Sequence, residues 1–225
     1  MKLRYFSHSA FQITTDKGIK ILIDPFLDGN PTSPVKSDEV DADYIVITHG
    51  HGDHIGDAFK IAKRCNSTFI SVDEIANYCI SKGFKAHNMH IGGSYNFEFG
   101  RVKFTIAHHG SLTPDGNYGG SPAGVLVFAD NKCIYHTGDT GLFYDMKLIG
   151  EFNKIDYMLL PIGDNYTMGI EDAVKAVELT NPIVAIPMHY NTFPVIKANP
   201  LLFKEKIEKL NKNCRVLNYG EEITI

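Results

Sequence analysis

The sequence lacks the excess of basic residues that nucleic-acid-binding proteins usually carry. Its 225 residues include 22 Lys and Arg against 26 Asp and Glu, which gives a formal net charge of −4. The lysines near the C-terminus are interleaved with glutamates in FKEKIEKLNK, a pattern typical of the solvated face of a helix. Because large polyanions such as duplex DNA are usually bound by basic surfaces, the composition argues against a nucleic-acid partner.

Long hydrophobic runs and closely spaced cysteines are also absent. No apolar segment approaches the ~18 residues of a membrane span, and MKLRYFSHSA leads into strand-like sequence without the features of a secretory leader. Cys65, Cys79, Cys133 and Cys214 form no CxxC pair, and the sequence is compatible with four reduced thiols or with two disulfides. We therefore expect a cytoplasmic protein with no membrane partner.

Short β-branched segments and amphipathic segments predict the secondary structure. Strands are expected at 19–24, 44–49, 101–109, 124–130, 133–139, 157–164, 183–189 and 221–225, with one further alternating strand in RYFSHSAFQITT, residues 4–15. Helices are expected within 57–65, 72–83, 167–182 and 199–213. Since no internal repeat or long linker is visible, the fold class is α/β and residues 1–225 are expected to form one domain.

The stretch ITHGHGDHIGD, residues 47–57, concentrates side chains that bind metals. His49 and His51 follow a predicted strand, and residues two apart on an extended backbone project to the same side. Gly50 and Gly52 let the backbone turn, and Asp53 and His54 come directly after this turn. This spacing differs from the helical HExxH motif and suits two neighbouring ions, one at the first two histidines and one at Asp53 and His54.

Other predicted strands also end on candidate ligands. They are Asp24, the adjacent pair His108 and His109, Asp139, and His189. Because α/β folds place their sites at the carboxyl edge of a sheet, strands that end on the same edge would gather these side chains into one ring. The adjacent histidines point to opposite sides of a strand, so only one of them is expected to face the ring.

Taken singly, these residues have structural interpretations. Asp24 precedes a proline and is able to form an Asx-turn, and Asp139 in TGDTG is able to act as a turn residue. Isolated histidines are more often hydrogen-bonded structural residues than ligands, which applies to His8, His87, His90 and His136. The HxHxDH cluster followed in order by Asp139 and His189 nevertheless predicts a metal site.

The order of these motifs resembles that of the metallo-β-lactamase-fold hydrolases. That family has a strand-end aspartate, an HxHxDH cluster, a third-motif histidine, a bridging aspartate and a last histidine, which match Asp24, residues 49–54, IAHHGS, Asp139 and His189. IYHTGDTGLFYDM and IPMHYNTFP are similar to one branch, small metal-dependent hydrolases akin to the ascorbate-6-phosphate lactonase group. The resemblance implies a four-layer αβ/βα sandwich with its site at the edge between two sheets.

The resemblance also implies a set of metal ligands. Within this branch the third-motif ligand follows an alanine by two positions, which selects His109 over His108. One ion is then expected at His49, His51 and His109, the other at Asp53, His54 and His189, with Asp139 bridging. Imidazole and carboxylate ligands without thiolate fit Zn2+, Mn2+, Ni2+ or Fe2+, and zinc is the usual metal of the family.

The chemistry implied is hydrolysis by a hydroxide that bridges two metal ions. Metal binding lowers the pKa of water from about 15.7 to about 7, which makes a nucleophile available to attack a small lactone, amide or phosphodiester. The catalytic residues are expected to be Asp53, Asp24 as the support of a ligand histidine, and His8 as the proton donor at the edge of the site. The loop 110–122 and NYTMG, residues 165–169, are expected to line the substrate pocket.

Two other functions compete with this interpretation. A nuclease of the same fold would need a basic groove or an added clamp domain, and an iron-dependent redox protein of this fold usually carries a flavin domain. The 225 residues leave no room for either addition, so we rank both below a small-molecule hydrolase. A non-catalytic scaffold is disfavoured because the ligand set is complete. The sequence does not define the oligomeric state, although a homo-oligomer would be common.

Overall fold

The computed structural model describes all 225 residues and contains fourteen strands and six α-helices. The first seven strands are β1 Lys2–Ser7, β2 Ala10–Thr14, β3 Lys20–Ile23, β4 Tyr44–Val46, β5 Thr68–Val72, β6 Lys85–Met89 and β7 Ser94–Phe97. The others are β8 Gly100–Ile106, β9 Ala123–Ala129, β10 Lys132–His136, β11 Tyr157–Pro161, β12 Val184–Met188, β13 Asn213–Cys214 and β14 Glu222–Thr224. The helices are α1 Gly52–Ile55, α2 Ala58–Cys65, α3 Asp73–Ser81, α4 Met146–Phe152, α5 Ile170–Thr180 and α6 Pro200–Lys209.

The strands form two seven-stranded mixed sheets. The first has the order β14-β1-β2-β3-β4-β5-β6 and the second the order β13-β12-β11-β10-β9-β8-β7. Each sheet contains three antiparallel pairings on one side of its middle strand and three parallel pairings on the other. The two halves of the chain therefore build sheets of the same pattern.

Strand β11 illustrates how the layers are held together, because both of its faces are buried. Leu159 belongs to a core of 39 buried residues that draws on both sheets and on helices α2 and α3. Its neighbours Met158 and Leu160 point the other way, into a core of 18 buried residues shared with helices α4, α5 and α6. The predicted four-layer αβ/βα sandwich is confirmed.

The N-terminal segment departs from the prediction of a single strand over residues 4–15. It forms an antiparallel hairpin of β1 and β2 in which Tyr5 pairs with Phe11 and their rings stack at 4.5 Å. The turn lies at His8 and Ser9, and His8 adopts a positive φ of 55°. The alternation of residue types continues through this turn without a glycine or proline, so that the sequence pattern hides it.

Several further elements were not predicted, and others are shorter than expected. Strands β5 to β7 and helices α1 and α4 have no counterpart among the predictions, whereas β4 ends at Val46 and leaves His49 in the following loop. The four predicted helices are confirmed as α2, α3, α5 and α6. None of the six α-helices combines the length and the hydrophobicity that a membrane span requires. The four cysteines are free thiols.

Truncating Leu159 tests the core between the two sheets. The Leu159→Ala substitution removes a fully buried side chain, and we expect the free energy of unfolding to fall by about 2–5 kcal/mol. Leu201→Ala is the matched control, because Leu201 is 65% exposed, and its effect should stay within about 0.5 kcal/mol. Chemical denaturation measures both, and equal losses would contradict the assigned layering.

Candidate metal centre

The candidate ligands meet at one edge that the two sheets share. Strands β3 and β4 are parallel neighbours in the first sheet, and β8, β10 and β12 run in one direction in the second. Each of these strands is followed by one of the predicted residues, namely Asp24, His49, His109, Asp139 and His189. The expectation that strand ends gather the candidate ligands at one edge is confirmed.

Direct hydrogen bonds hold the two sheets together at this edge. The His189 N–H donates to the His8 carbonyl at 2.8 Å, and the Ala123 N–H donates to the Thr48 carbonyl at 3.0 Å. Because each bond joins a loop of one sheet to the other sheet, the side chains from both halves are held at fixed separations.

Two glycines allow the backbone to approach closely beside the ligands. A Cβ at Gly50, between His49 and His51, would lie 1.9 Å from the Leu112 carbonyl oxygen. Gly138, directly before Asp139, has a φ of +62°, and a Cβ there would lie 2.5 Å from the Ala123 carbonyl oxygen. Both positions therefore require glycine for steric reasons.

His49, His51 and His109 form the first group of candidate ligands. Nδ1 of His51 lies 3.0 Å from Nε2 of His49 and 3.2 Å from Nε2 of His109. Donor atoms around a tetrahedral ion with bonds of about 2.1 Å lie about 3.4 Å apart, so this spacing is close to that of a coordination shell. His108 is exposed and stacks on Phe143 at 4.9 Å, away from the group.

Asp53, His54 and His189 form the second group of candidate ligands, and His8 lies beside them. Nε2 of His189 lies 3.9 Å from Oδ2 of Asp53, and one atom from each of the four residues falls within 4.8 Å of the others. Asp53 and His54 lie on the short helix α1, whose first turn contains Asp53. The HxHxDH cluster thus divides between two groups.

Asp139 lies between the two groups. Its Oδ2 is 3.0 Å from Nε2 of His189, 3.3 Å from Nε2 of His54 and 3.6 Å from Nε2 of His109. His54 and His189 belong to the second group and His109 to the first. A carboxylate at this position is able to contact ions in both groups.

Orphaned polar atoms show that these residues fit a metal. His54 Nε2, Asp139 Oδ1 and both ring nitrogens of His189 are buried and make no hydrogen bond. His189 Nε2 lies 3.0 Å from Asp139 Oδ2 without forming a hydrogen bond. Each such atom costs about 1–3 kcal/mol if left unsatisfied, and divalent cations would satisfy these atoms.

The electrostatics of the group also favour a bound cation. Burial alone would raise the pKa of Asp139, but the neighbouring His189 and His54 hold it well below its usual range. Burial alone would lower the pKa of His54, but Asp139 and Asp24 raise it well above its ordinary value. The carboxylates therefore stabilise positive charge at this position, which a metal ion would supply in place of the proton.

Asp24 fixes the orientation of two ligand histidines. Its Oδ1 accepts from the Thr48 N–H at 2.9 Å, and its Oδ2 accepts from the Thr48 hydroxyl at 2.6 Å and from His54 Nδ1 at 2.7 Å. Since the Thr48 hydroxyl proton is used, His49 Nδ1 donates to Thr48 Oγ1 at 3.0 Å. Both histidines would consequently present an unprotonated Nε2 to a bound metal ion.

His8 does not lie at the edge of the site, contrary to expectation. It is fully buried, with Nε2 at 3.2 Å from Asp53 Oδ2 and Nδ1 at 2.9 Å from the Thr192 hydroxyl. Burial and the nearby His189 lower its pKa to about 4, so it is neutral at neutral pH. Nε2–H then donates to Asp53 while Nδ1 accepts from Thr192. A role as proton donor stays a prediction and would have to operate through Asp53.

The other histidines outside the groups make structural contacts or face solvent. His136 Nε2 donates to the Ser9 carbonyl at 2.9 Å, and His87 stacks on Tyr95 at 4.0 Å. His90 is exposed. These three residues match the structural interpretation given above.

A cavity of about 410 Å³ opens onto the candidate metal centre. Five candidate ligands line its floor, namely His51, Asp53, His109, Asp139 and His189. The other lining side chains are Tyr166, Phe193 and Val195. Tyr166 comes from the predicted NYTMG segment. The expectation that loop 110–122 lines the cavity is wrong, because none of its residues contributes to the lining. Within that loop, the Leu112 backbone lies against Gly50 and forms an isolated β-bridge with Tyr118.

Four contributing residues were missed by the sequence analysis. Thr48 and Thr192 orient ligands or their supports, and Phe193 and Val195 line the cavity. The position of Thr48, directly before the HxHxDH cluster at a strand end, was an available signal. Thr192 and Phe193 lie within IPMHYNTFP, which resembled one hydrolase branch but indicated no role for them, and Val195 follows directly after that motif.

Comparison with known proteins identifies the family. The model of the beta-lactamase superfamily domain matches residues 20–190, a range that contains all seven candidate ligands. Relatives named UPF0173 metal-dependent hydrolase are 49% identical in Carboxydothermus hydrogenoformans and 50% identical in Bacillus cereus strain G9842, and each match covers 100% of both chains. The chain belongs to this family of metal-dependent hydrolases.

A solved structure supports the assignment of the hydrolase fold. Igni18, a metallo hydrolase from Ignicoccus hospitalis, is 42% identical, with a TM-score of 0.92 over 100% of this chain and 97% of that one. The hydrolase and Igni18 thus share one architecture over their full lengths.

Replacing Asp24 by asparagine tests its support of His54. The Asp24 carboxylate accepts three hydrogen bonds, and the NH2 group of asparagine would face one of these donors, so that at least one bond is lost. We therefore expect the affinity for metal to fall about 10–100-fold. Competition with a chelator of known affinity measures this loss. Asp38→Asn, an exposed control, should leave the affinity unchanged, and an unchanged affinity in Asp24→Asn would contradict the role assigned to Asp24.

Proposed function

We propose that this hydrolase is binuclear. One ion would be held by His49, His51 and His109, the other by Asp53, His54 and His189, with Asp139 shared between them. The observation that carries this proposal is the position of Asp139 Oδ2, which lies within 3.6 Å of ring nitrogens from both groups. Imidazole and carboxylate donors fit Zn2+ as well as Mn2+, Ni2+ or Fe2+.

The proposed reaction is hydrolysis of a small carbonyl or phosphate ester. Two bound ions would lower the pKa of a water to supply the nucleophile and would polarise the substrate oxygen. Asp24 holds His54 and, through Thr48, His49 in their ligating tautomers, and His8 holds Asp53. The Asp53 side chain is 30% exposed and lines the cavity, a position from which it would orient the attacking water.

The shape of the cavity supports a small-molecule substrate. Its volume of about 410 Å³ lies within the range of about 300–1,000 Å³ that is typical of small-ligand sites. The ligand set would also bind iron, and a redox role for an iron-loaded form is the alternative that the next measurement addresses.

Elemental analysis of protein purified without added metal tests the binuclear centre. We expect about two divalent ions per chain, and turnover of a panel of lactones, thioesters and bis-p-nitrophenyl phosphate that a chelator abolishes and metal restores. Iron without turnover would favour redox chemistry, and protein that binds no metal would overturn the proposal.

The Asp139→Asn and Asp139→Ala substitutions test the bridging role. Both remove the charge shared by the two groups, so we expect loss of at least one ion and a decrease in turnover of at least about 100-fold. His87→Ala, which removes a histidine that belongs to none of the candidate ligand groups and contacts Tyr95, should change neither quantity. Two tightly bound ions in a folded Asp139→Ala variant, as judged by circular dichroism, would contradict the bridge.

A further inference from the structure

The wall of the cavity opposite the candidate ligands carries no charged group. It consists of Tyr166, Phe193 and Val195, and no lysine or arginine lines the cavity. Lys197 lines a neighbouring cavity that shares Phe193 with this one, but it does not line the cavity at the candidate metal centre. A remote phosphate or carboxylate of a substrate would therefore find no cationic side chain here.

This wall is held in place before any ligand binds. The Phe193 ring packs against Phe26 at 6.2 Å and against the edge of His8 at 5.8 Å. A short 3-10 helix, Pro194–Ile196, follows, and the Asn191 N–H closes the loop by donating to the Ile196 carbonyl at 2.9 Å. The apolar surface is consequently preorganised, which reduces the entropic cost of binding.

Two of the wall residues expose apolar surface to the cavity. Tyr166 is 57% exposed and Val195 is 56% exposed, although both belong to a concave surface. A ligand with an apolar group would cover this surface, and each methylene that leaves water strengthens binding about fourfold. The phenol of Tyr166 adds one neutral hydrogen-bonding group at the rim.

We propose that the hydrolase acts on small uncharged esters, lactones or amides whose non-reacting part is apolar, and that it discriminates against substrates with an anionic remote end. The apolar part would lie against Phe193 and Val195 while the scissile bond lies over Asp53 and Asp139. This inference rests on the proposed function and deepens it by assigning the substrate class.

Hydroxamic acids of increasing chain length test the inference without requiring turnover. Calorimetry with the metal-loaded hydrolase compares acetohydroxamate, hexanohydroxamate and the monohydroxamate of succinic acid. We expect hexanohydroxamate to bind at least tenfold more tightly than acetohydroxamate, and the succinic compound to show no gain. Equal or tighter binding of the anionic tail would overturn the inference.

Substitutions in the wall show whether Phe193 and Val195 cause the preference. Val195→Lys changes an exposed side chain, and it should reverse the preference so that the succinic compound binds more tightly than hexanohydroxamate. Phe193→Ala should remove most of the dependence on chain length. Phe152→Ala is the matched control because Phe152 is 80% exposed on α4, outside the cavity.

Acetohydroxamate reports separately on the metal centre. It has no tail to reach the wall, so its affinity in each variant is the reference against which the longer compounds are compared. A dependence on chain length that survives in both wall variants would overturn the inference, as would an absence of hydroxamate binding by protein that carries two ions. A normal dependence without turnover of any ester would instead overturn the proposed hydrolysis while the preference of the cavity stands.

Discussion

The candidate centre depends on the balance between buried carboxylates and the imidazoles around them. The two carboxylates lie on opposite sides of the His54 ring. Asp24 Oδ2 lies 2.7 Å from Nδ1, and Asp139 Oδ2 lies 3.3 Å from Nε2. Burial opposes ionisation of Asp139, and the neighbouring His189 and His54 hold the pKa of that carboxyl well below its usual range. The surrounding fold is arranged to keep these charges together and away from solvent.

That arrangement needs both sheets at once. The first sheet supplies the HxHxDH loop, the His8 turn and Asp24, whereas the second supplies His109, Asp139 and His189. The core of 39 residues between the sheets fixes their separation, and backbone hydrogen bonds join their edges. Packing far from the site thus determines the distances between donor atoms within it.

The sequence predicted which candidate ligands lie together better than it predicted the residues that contact them. His49 to His54, Asp139 and His189 stand out because few roles other than metal binding need histidines and aspartates at such spacing after strands. Thr192 carries no such signal, since its role depends on contact with a residue 184 positions away. The hairpin turn at His8 was hidden by an uninterrupted alternation, and the wall formed by Phe193 and Val195 depends on a loop conformation that periodicity does not describe.

The division of ligands between the sheets has a consequence for how the centre is assembled. Each proposed ion takes ligands from an early and a late part of the chain, so neither half offers a complete coordination shell. Bound metal would therefore link the two halves of the chain and stabilise the folded state against their separation. A chain growing on the ribosome would complete the first proposed group only after His109 has emerged, and the second only after His189 has emerged.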